Sequence, residues 1–145
     1  MQITVVTKRT PALIKQLLVI WESAVRATHH FLSNEAIKTI KTYVPQALQA
    51  VDDLIIAHDN GHIVGFMGIS KQRLEMLFIS NAVRGKGIGK QLLQYGINQY
   101  HVNELTVNEQ NPQAVGFYQH MGFVTYKRTP YDEEGQPYPL LYMKR

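Results

Sequence analysis

Cysteine is absent from the 145-residue chain, which removes disulfide frameworks, thiolate zinc sites and thiol nucleophiles together. No apolar stretch approaches the roughly 20 residues that a bilayer-spanning helix needs, and the N-terminal MQITVVTKRT lacks the apolar run of a secretory signal. The expectation is a soluble, cytoplasmic protein with no membrane partner. Internal repeats and low-complexity tracts are also missing. The six histidines are dispersed, and the adjacent pair His29-His30 points its rings apart, so no metal site is expected. With 45% hydrophobic residues the chain is long enough for one core and too short for two, so residues 1–145 are read as a single domain.

Acidic residues are the minority, 11 against 15 Lys and Arg, for a net charge of +4. That balance favours an anionic ligand. The cations are scattered rather than massed, so nucleic acid is not the expected partner.

Ile3 to Thr7 is β-branched and bounded by Lys8, Arg9 and Pro11, the mark of a short strand, and Pro11 opens a helix over about residues 12–26 with apolar positions at Leu13, Leu17, Ile20 and Ala24. A second helix follows Ser33. The apolar runs Leu54–Ala57 and Ile63–Ile69 flank His58-Asp59-Asn60-Gly61, whose Asn-Gly predicts a hairpin. Leu74–Ile79 is a third strand of this group and leads straight into a glycine-rich segment, then a helix from near Gly87 to Tyr100. Glu104–Val107 is a strand, and Asn111-Pro112 with Gly122 bracket a helix of about ten residues. Val124–Arg128 and Leu140–Lys144 are closing strands around the polar excursion YDEEGQPYP. The late strand near PLLYM suits either an internal position or pairing across a dimer, so a monomer and a homodimer both stand.

The glycine segment, VRGKGIGKQLLQ at residues 83–94, holds three glycines and three cations immediately before a helix. A helix N-terminus offers unpaired N–H groups and partial positive charge, and glycines let a phosphate approach the backbone, so a pyrophosphate is the natural guest. Two phosphate-loop grammars fail. The dinucleotide pattern GxGxxG needs its third glycine one residue later than Gly89, and the Walker pattern finds Arg84 where its first glycine belongs and Gln91 where Ser or Thr should follow Lys90.

The pattern that fits is Arg-x-x-Gly-x-Gly, as Arg84-Gly85-Lys86-Gly87-Ile88-Gly89 after LEMLFIS. Here the chain resembles the GNAT superfamily of acetyl-coenzyme A-dependent N-acetyltransferases. VNEQNPQAVGFYQHMGF, residues 107–123, is similar to the second signature of that superfamily, a strand, an Asn-capped helix and a Tyr near the helix middle. The resemblance extends over essentially the whole chain, and ATHHFL near residue 30 and GQPYPLLYM near the end are similar to a small single-domain bacterial subgroup.

The resemblance implies an α/β (α+β) fold, with a mixed central sheet of about six to seven strands, splayed at the cofactor strand and flanked by about four helices. It also implies acetyl-CoA as donor, released as coenzyme A, and a small-molecule or peptide amine as acceptor. Leu77, Phe78 and Ile79 would bind the pantetheine arm through their main chain. Arg84, Gly85, Lys86, Gly87, Ile88 and Gly89 would wrap the pyrophosphate, with Lys90 reaching it or the 3′-phosphate. Asn108 and Asn111 would lie beside the pantetheine, and Tyr118 would bind there and protonate the departing thiolate. A phenol of pKa near 10 can donate to a thiolate of pKa about 8.5 without ionising first.

The attacking amine must be neutral. A lysine-like amine of pKa about 10.4 loses its proton at a cost of roughly 4.6 kcal/mol at pH 7, an α-amine near 8 at about 1.4. Glu75, acting through water, and His29 are the candidate bases, with Glu22 and Tyr142 as further cleft residues by family analogy. Direct attack in a ternary complex needs no covalent intermediate, in keeping with the missing cysteine. The alternatives are a non-catalytic acyl-CoA-sensing module and a basic nucleic-acid-binding protein.

Overall fold

Helix starts are well marked in this sequence. Thr10 Oγ1 accepts the Leu13 N–H at 3.2 Å and Pro11 takes the first turn, opening α1 (Pro11–Thr28). Ser33 Oγ accepts from Ala36 N–H at 3.0 Å and opens α2 (Asn34–Lys41). In the computed structural model, which describes residues 1–145, these are followed by α3 (Val44–Ala50), α4 (Ile88–Tyr100) and α5 (Pro112–His120). The fifth helix beyond the expected four or so is α3, seven residues led by Pro45 and too short for its periodicity to register.

The strands are β1 (Gln2–Val5), β2 (Asp53–Asp59), β3 (His62–Ser70), β4 (Arg73–Ile79), β5 (Glu104–Asn108), β6 (Val124–Thr129) and β7 (Leu140–Lys144). They form one seven-stranded sheet in the order β1-β2-β3-β4-β5-β7-β6. The Asn60-Gly61 turn of the β2–β3 hairpin has φ of 51° and 79°, both positive as its two-residue loop requires. β7 lies between β5 and β6, antiparallel to both, so the PLLYM strand is internal rather than a free edge.

Residue alternation along the central strands feeds two cores. On β2 and β3, Ile55 and Met67 pack with α4 residues such as Leu92 and Leu93, whereas Leu54 and Phe66 pack on the other face with Leu17 and Trp21 of α1 and Leu48 of α3. α4 comes very close to the sheet at Gly96, where an added Cβ would lie 3.2 Å from Met67 and Ile69 atoms.

Two irregularities open the sheet. Gly68 pairs with Met76 but Ile69 pairs with Leu74, which leaves Glu75 as the extra residue of a β-bulge on β4. The bulge changes the facing of β4, so Leu77 and Ile79 share the α4-side core with Leu74, while Met76 and Phe78 join the α1 side. β4 and β5 are parallel, and they pair only at Arg73–Glu104 and Leu74–Leu105. Beyond Leu74 the strands separate, and the β4 edge from Met76 to Ile79 has no β5 partner.

Candidate active site

Beside the free edge of β4 lies a cleft of about 450 Å³, lined by β4, the loop and first turn of α4, α5 with its cap, and the end of α1. β4 supplies Leu77, Phe78 and Ile79, and the loop and first turn of α4 supply Val83, Arg84, Gly85, Gly87, Ile88, Gly89 and Lys90. Asn111, Gln113, Ala114, Phe117, Tyr118 and His120 come from α5 and its cap, and Ala24, Thr28 and His29 from the end of α1.

The loop before α4 is tied down at its start, where Asn81 N–H donates to Ser23 Oγ of α1 at 3.1 Å and Arg84 N–H donates to Asn81 O at 3.4 Å. Gly85 and Gly87 then take left-handed φ of 81° and 78°, and an added Cβ at either would meet nothing within 4 Å. Gly87 caps α4 with no side-chain oxygen, and the first hydrogen bond back into the cap is Gln91 N–H to Gly87 O at 3.1 Å. The preceding amides of Ile88, Gly89 and Lys90 are thus orphaned at the positive end of the helix dipole, facing open space. Arg84 adds a cation beside them, its guanidinium donating to Gln113 Oε1 across the cleft at 2.7 Å.

The opposite wall is built to hold still. Asn111, buried and the N-cap of α5, accepts from Ala114 N–H at 3.4 Å. At the other end, Gly122 at φ 96° completes a Schellman turn, with Gly122 N–H to Gln119 O and Phe123 N–H to Tyr118 O, both at 3.0 Å. This turn fixes the main chain of Tyr118, and its ring packs 5.2 Å from Phe117 and 6.1 Å from the fully buried Phe123. Burial alone raises the Tyr118 phenol well above its ordinary value, with no charge or hydrogen bond contributing. The phenol therefore stays protonated across the working pH range.

His29 stands at the α1 end of the cleft. Burial first, and His30 beside it second, push its imidazole down to about 4, so it is neutral at pH 7.

Most of the sequence-derived residues come together here: Leu77, Phe78, Ile79, Arg84, Gly85, Gly87, Ile88, Gly89, Lys90, Asn111, Tyr118 and His29 all line the cleft. Lys86 is exposed between the two left-handed glycines and does not line it. Asn108 serves the turn before α5, its carbonyl accepting from Asn111 N–H at 3.1 Å, and stands outside the lining. Glu75 is also outside, because the bulge places its carboxylate 3.6 Å from the Arg73 guanidinium. Desolvation raises its pKa while Arg73 opposes the rise. Glu22 is engaged by Lys41 at 2.6 Å and Arg26 at 2.8 Å, and Tyr142 lies under Lys127 Nζ at 4.9 Å, both away from the lining.

Thr28, Gln113, Phe117 and His120 were not legible as cleft residues. Phe117 carried a signal, since it directly precedes Tyr118 and shares an apolar face with Ala114, but that face reads equally as core. Gln113 is recognised only through its bond to Arg84, 29 residues away in sequence.

Chemically, the cleft joins an end of orphan amides and Arg84, whose positive character suits an anion, to a largely apolar slot along Leu77–Ile79 and Phe117, with a protonated phenol in its wall. An uncapped helix start, open space at Gly85 and Gly87 and an unpaired strand edge suit a long phosphorylated thioester. Comparison with known proteins agrees. Residues 22–138 match the acetyltransferase (GNAT) domain. The chain is 40% identical over 127 residues to the peptidyl-lysine N-acetyltransferase YjaB of Salmonella typhimurium, covering 88% of each protein. Its fold superimposes on the solution structure of apo-form YjaB from Escherichia coli with a TM-score of 0.87 at 37% identity, covering 99% of this chain and 97% of that one. It superimposes on an aminoglycoside 6′-N-acetyltransferase complexed with coenzyme A with a TM-score of 0.66 at 15% identity, covering 100% and 96%, a likeness of fold. The chain belongs to the GNAT family of acetyl-CoA-dependent N-acetyltransferases.

Proposed function

We propose that the acceptor is a lysine side chain of a peptide or protein, acetylated by direct attack of its neutral amine within a ternary complex in the cytoplasm. The observation that carries the mechanism is the junction of the orphaned α4 amides, the unpaired β4 edge and the Tyr118 phenol in one cleft. The lysine assignment is supported by the relatives in Salmonella typhimurium and Escherichia coli, 40% and 39% identical, both named peptidyl-lysine N-acetyltransferase.

When bound, acetyl-CoA supplies an activated thioester that a neutral amine can attack. Arg84 and the amides of Ile88, Gly89 and Lys90 hold the phosphates. The unpaired main chain of Leu77–Ile79 aligns the arm and offers N–H groups to the carbonyl oxygen. Tyr118 keeps its proton until negative charge develops on sulfur. It then gives that proton to the departing sulfur, and the proton that the acetylated nitrogen releases returns to the phenolate, directly or through water, so the transfer balances.

Neither candidate base stores the ammonium proton. Moving it from a lysine near 10.4 to an imidazole near 4 would cost about 9 kcal/mol, and Glu75 is held outside the cleft. The amine therefore enters already neutral, its proton lost to water at roughly 4.6 kcal/mol at pH 7.

The experiment incubates the enzyme with acetyl-CoA and a library of lysine-containing peptides, following thiol release and acetyl-lysine by mass spectrometry. Acetylation whose kcat/KM rises about tenfold per pH unit between 7 and 9 is the expected result. Turnover confined to free small amines would overturn the lysine assignment.

A further inference from the structure

His29 ends α1 with its main chain pinned on both sides, its N–H donating to Val25 O at 2.8 Å and its carbonyl accepting from Leu32 N–H at 3.0 Å. Its ring lies 5.4 Å from that of Phe31, which in turn lies 5.7 Å from Tyr138 on the segment between β6 and β7. Phe31, backed in turn by a chain-distant loop, thus flanks the imidazole at the α1 end of the cleft.

The hydrogen bonds around this ring are decisive. Thr28 Oγ1 is 2.8 Å from the Ala24 carbonyl oxygen and also 2.8 Å from His29 Nδ1. The hydroxyl has one proton for two contacts, and the carbonyl can only accept. Were that proton turned toward Nδ1, lone pairs on Thr28 and Ala24 would face each other at 2.8 Å with nothing between them. With the proton on the Ala24 side, the Thr28 oxygen must accept, and only a protonated Nδ1 can donate to it.

We propose that Thr28 is a positioning residue that locks His29 in the Nδ1–H tautomer, leaving Nε2 as a bare acceptor in the cleft for an N–H of the incoming neutral amine. Once Nε2 holds one N–H, the amine lone pair is turned along a defined direction toward the thioester carbon. No proton changes hands in this step. The low pKa of the buried ring, with His30 adding to the effect, serves the same end, since an imidazolium would carry a second N–H and present no acceptor. The orienting role rests on the acetyltransferase reading, whereas the tautomer rests on the hydrogen bonds alone.

The test measures long-range 1H–15N correlations of the His29 ring, assigned by their loss in His29→Gln, in the wild type, Thr28→Val and Thr28→Ser, beside the kinetics of a lysine peptide. Wild type and Thr28→Ser are expected to show the Nδ1–H form and Thr28→Val a majority of Nε2–H. Thr28→Val should lower kcat or raise the peptide KM about tenfold, with acetyl-CoA affinity within about twofold of wild type and Thr28→Ser restoring both. A wild-type ring in the Nε2–H form, or a tautomer unmoved by Thr28→Val, overturns the proposal. So does a tautomer that switches while kcat and peptide KM stay unchanged. Failure of the wild type to acetylate any lysine peptide would count against the acceptor alone, and amine-library kinetics of the same variants would then decide the orienting role.

Discussion

The two helices that border the cleft begin in opposite ways. α5 starts with Asn111, whose side chain accepts from Ala114 N–H, and with Pro112, which has no N–H to satisfy. α4 starts at Gly87, which offers no side chain, so its first amides remain unpaired at the edge of the cleft. Both helices face the same space, but α5 has one orphan donor fewer and bonds the Ala114 N–H to its own cap, whereas the Ile88, Gly89 and Lys90 amides of α4 have no internal partner. Of these two helices, the one without a side-chain cap is the one whose first residues, Ile88, Gly89 and Lys90, line the cleft.

The contrast makes graded predictions. Gly87→Glu would bring a carboxylate to the uncapped start and force a side chain into left-handed backbone, and acetyl-CoA affinity measured by titration calorimetry should fall at least about 100-fold. Gly87→Asn, which tolerates that backbone, should be far milder and so separate charge from strain. On the capped helix, Tyr118→Phe should lower kcat about 100-fold while acetyl-CoA affinity changes less than about threefold. A parallel loss of affinity would mean that Tyr118 acts in binding rather than in proton donation. Arg84→Ala removes the cation beside the orphan amides and should weaken acetyl-CoA about tenfold, and Gln113→Ala, which frees the guanidinium without removing it, only about twofold. Asn111→Ala should cost the fold about 1 kcal/mol in urea denaturation. Its effect on acetyl-CoA affinity should be the smallest of the series. If it equalled that of Gly87→Glu, the division between a structural and a ligand-facing helix start would fail.

Much of this frame is readable in the sequence, because local rules write it. Asn60-Gly61 specifies its turn, Asn111-Pro112 and Gly122 bracket α5, and Arg84-Gly85-Lys86-Gly87 marks a glycine connection into a helix start that suits an anion. The apolar runs of β2 and β3 are equally local. Less legible is whatever depends on register. The Glu75 bulge inserts a single residue into β4 and thereby decides which of its side chains face α4 and which face α1. No residue type announces it, and that is why Glu75 looks like a cleft carboxylate in the sequence but is paired beside Arg73 in the fold. Lys86 and Asn108 belong to the same class, since motif spacing marks them but cannot say which way a loop turns.

The sequence by itself determined the turns, the helix starts and the glycine loop before α4, because these rest on glycine conformations, helix caps and cation spacing that act within a few residues, and its resemblance to a known family implied the activity and the donor. Only the tertiary structure decided where β4 and β5 part, which side chains line the cleft beside that point, and that Thr28 and Phe31 flank His29 with Tyr138 packed behind Phe31. Those features join segments as far apart as residues 31 and 138, and such contacts are selected by packing the whole sheet against its helices rather than by any local preference.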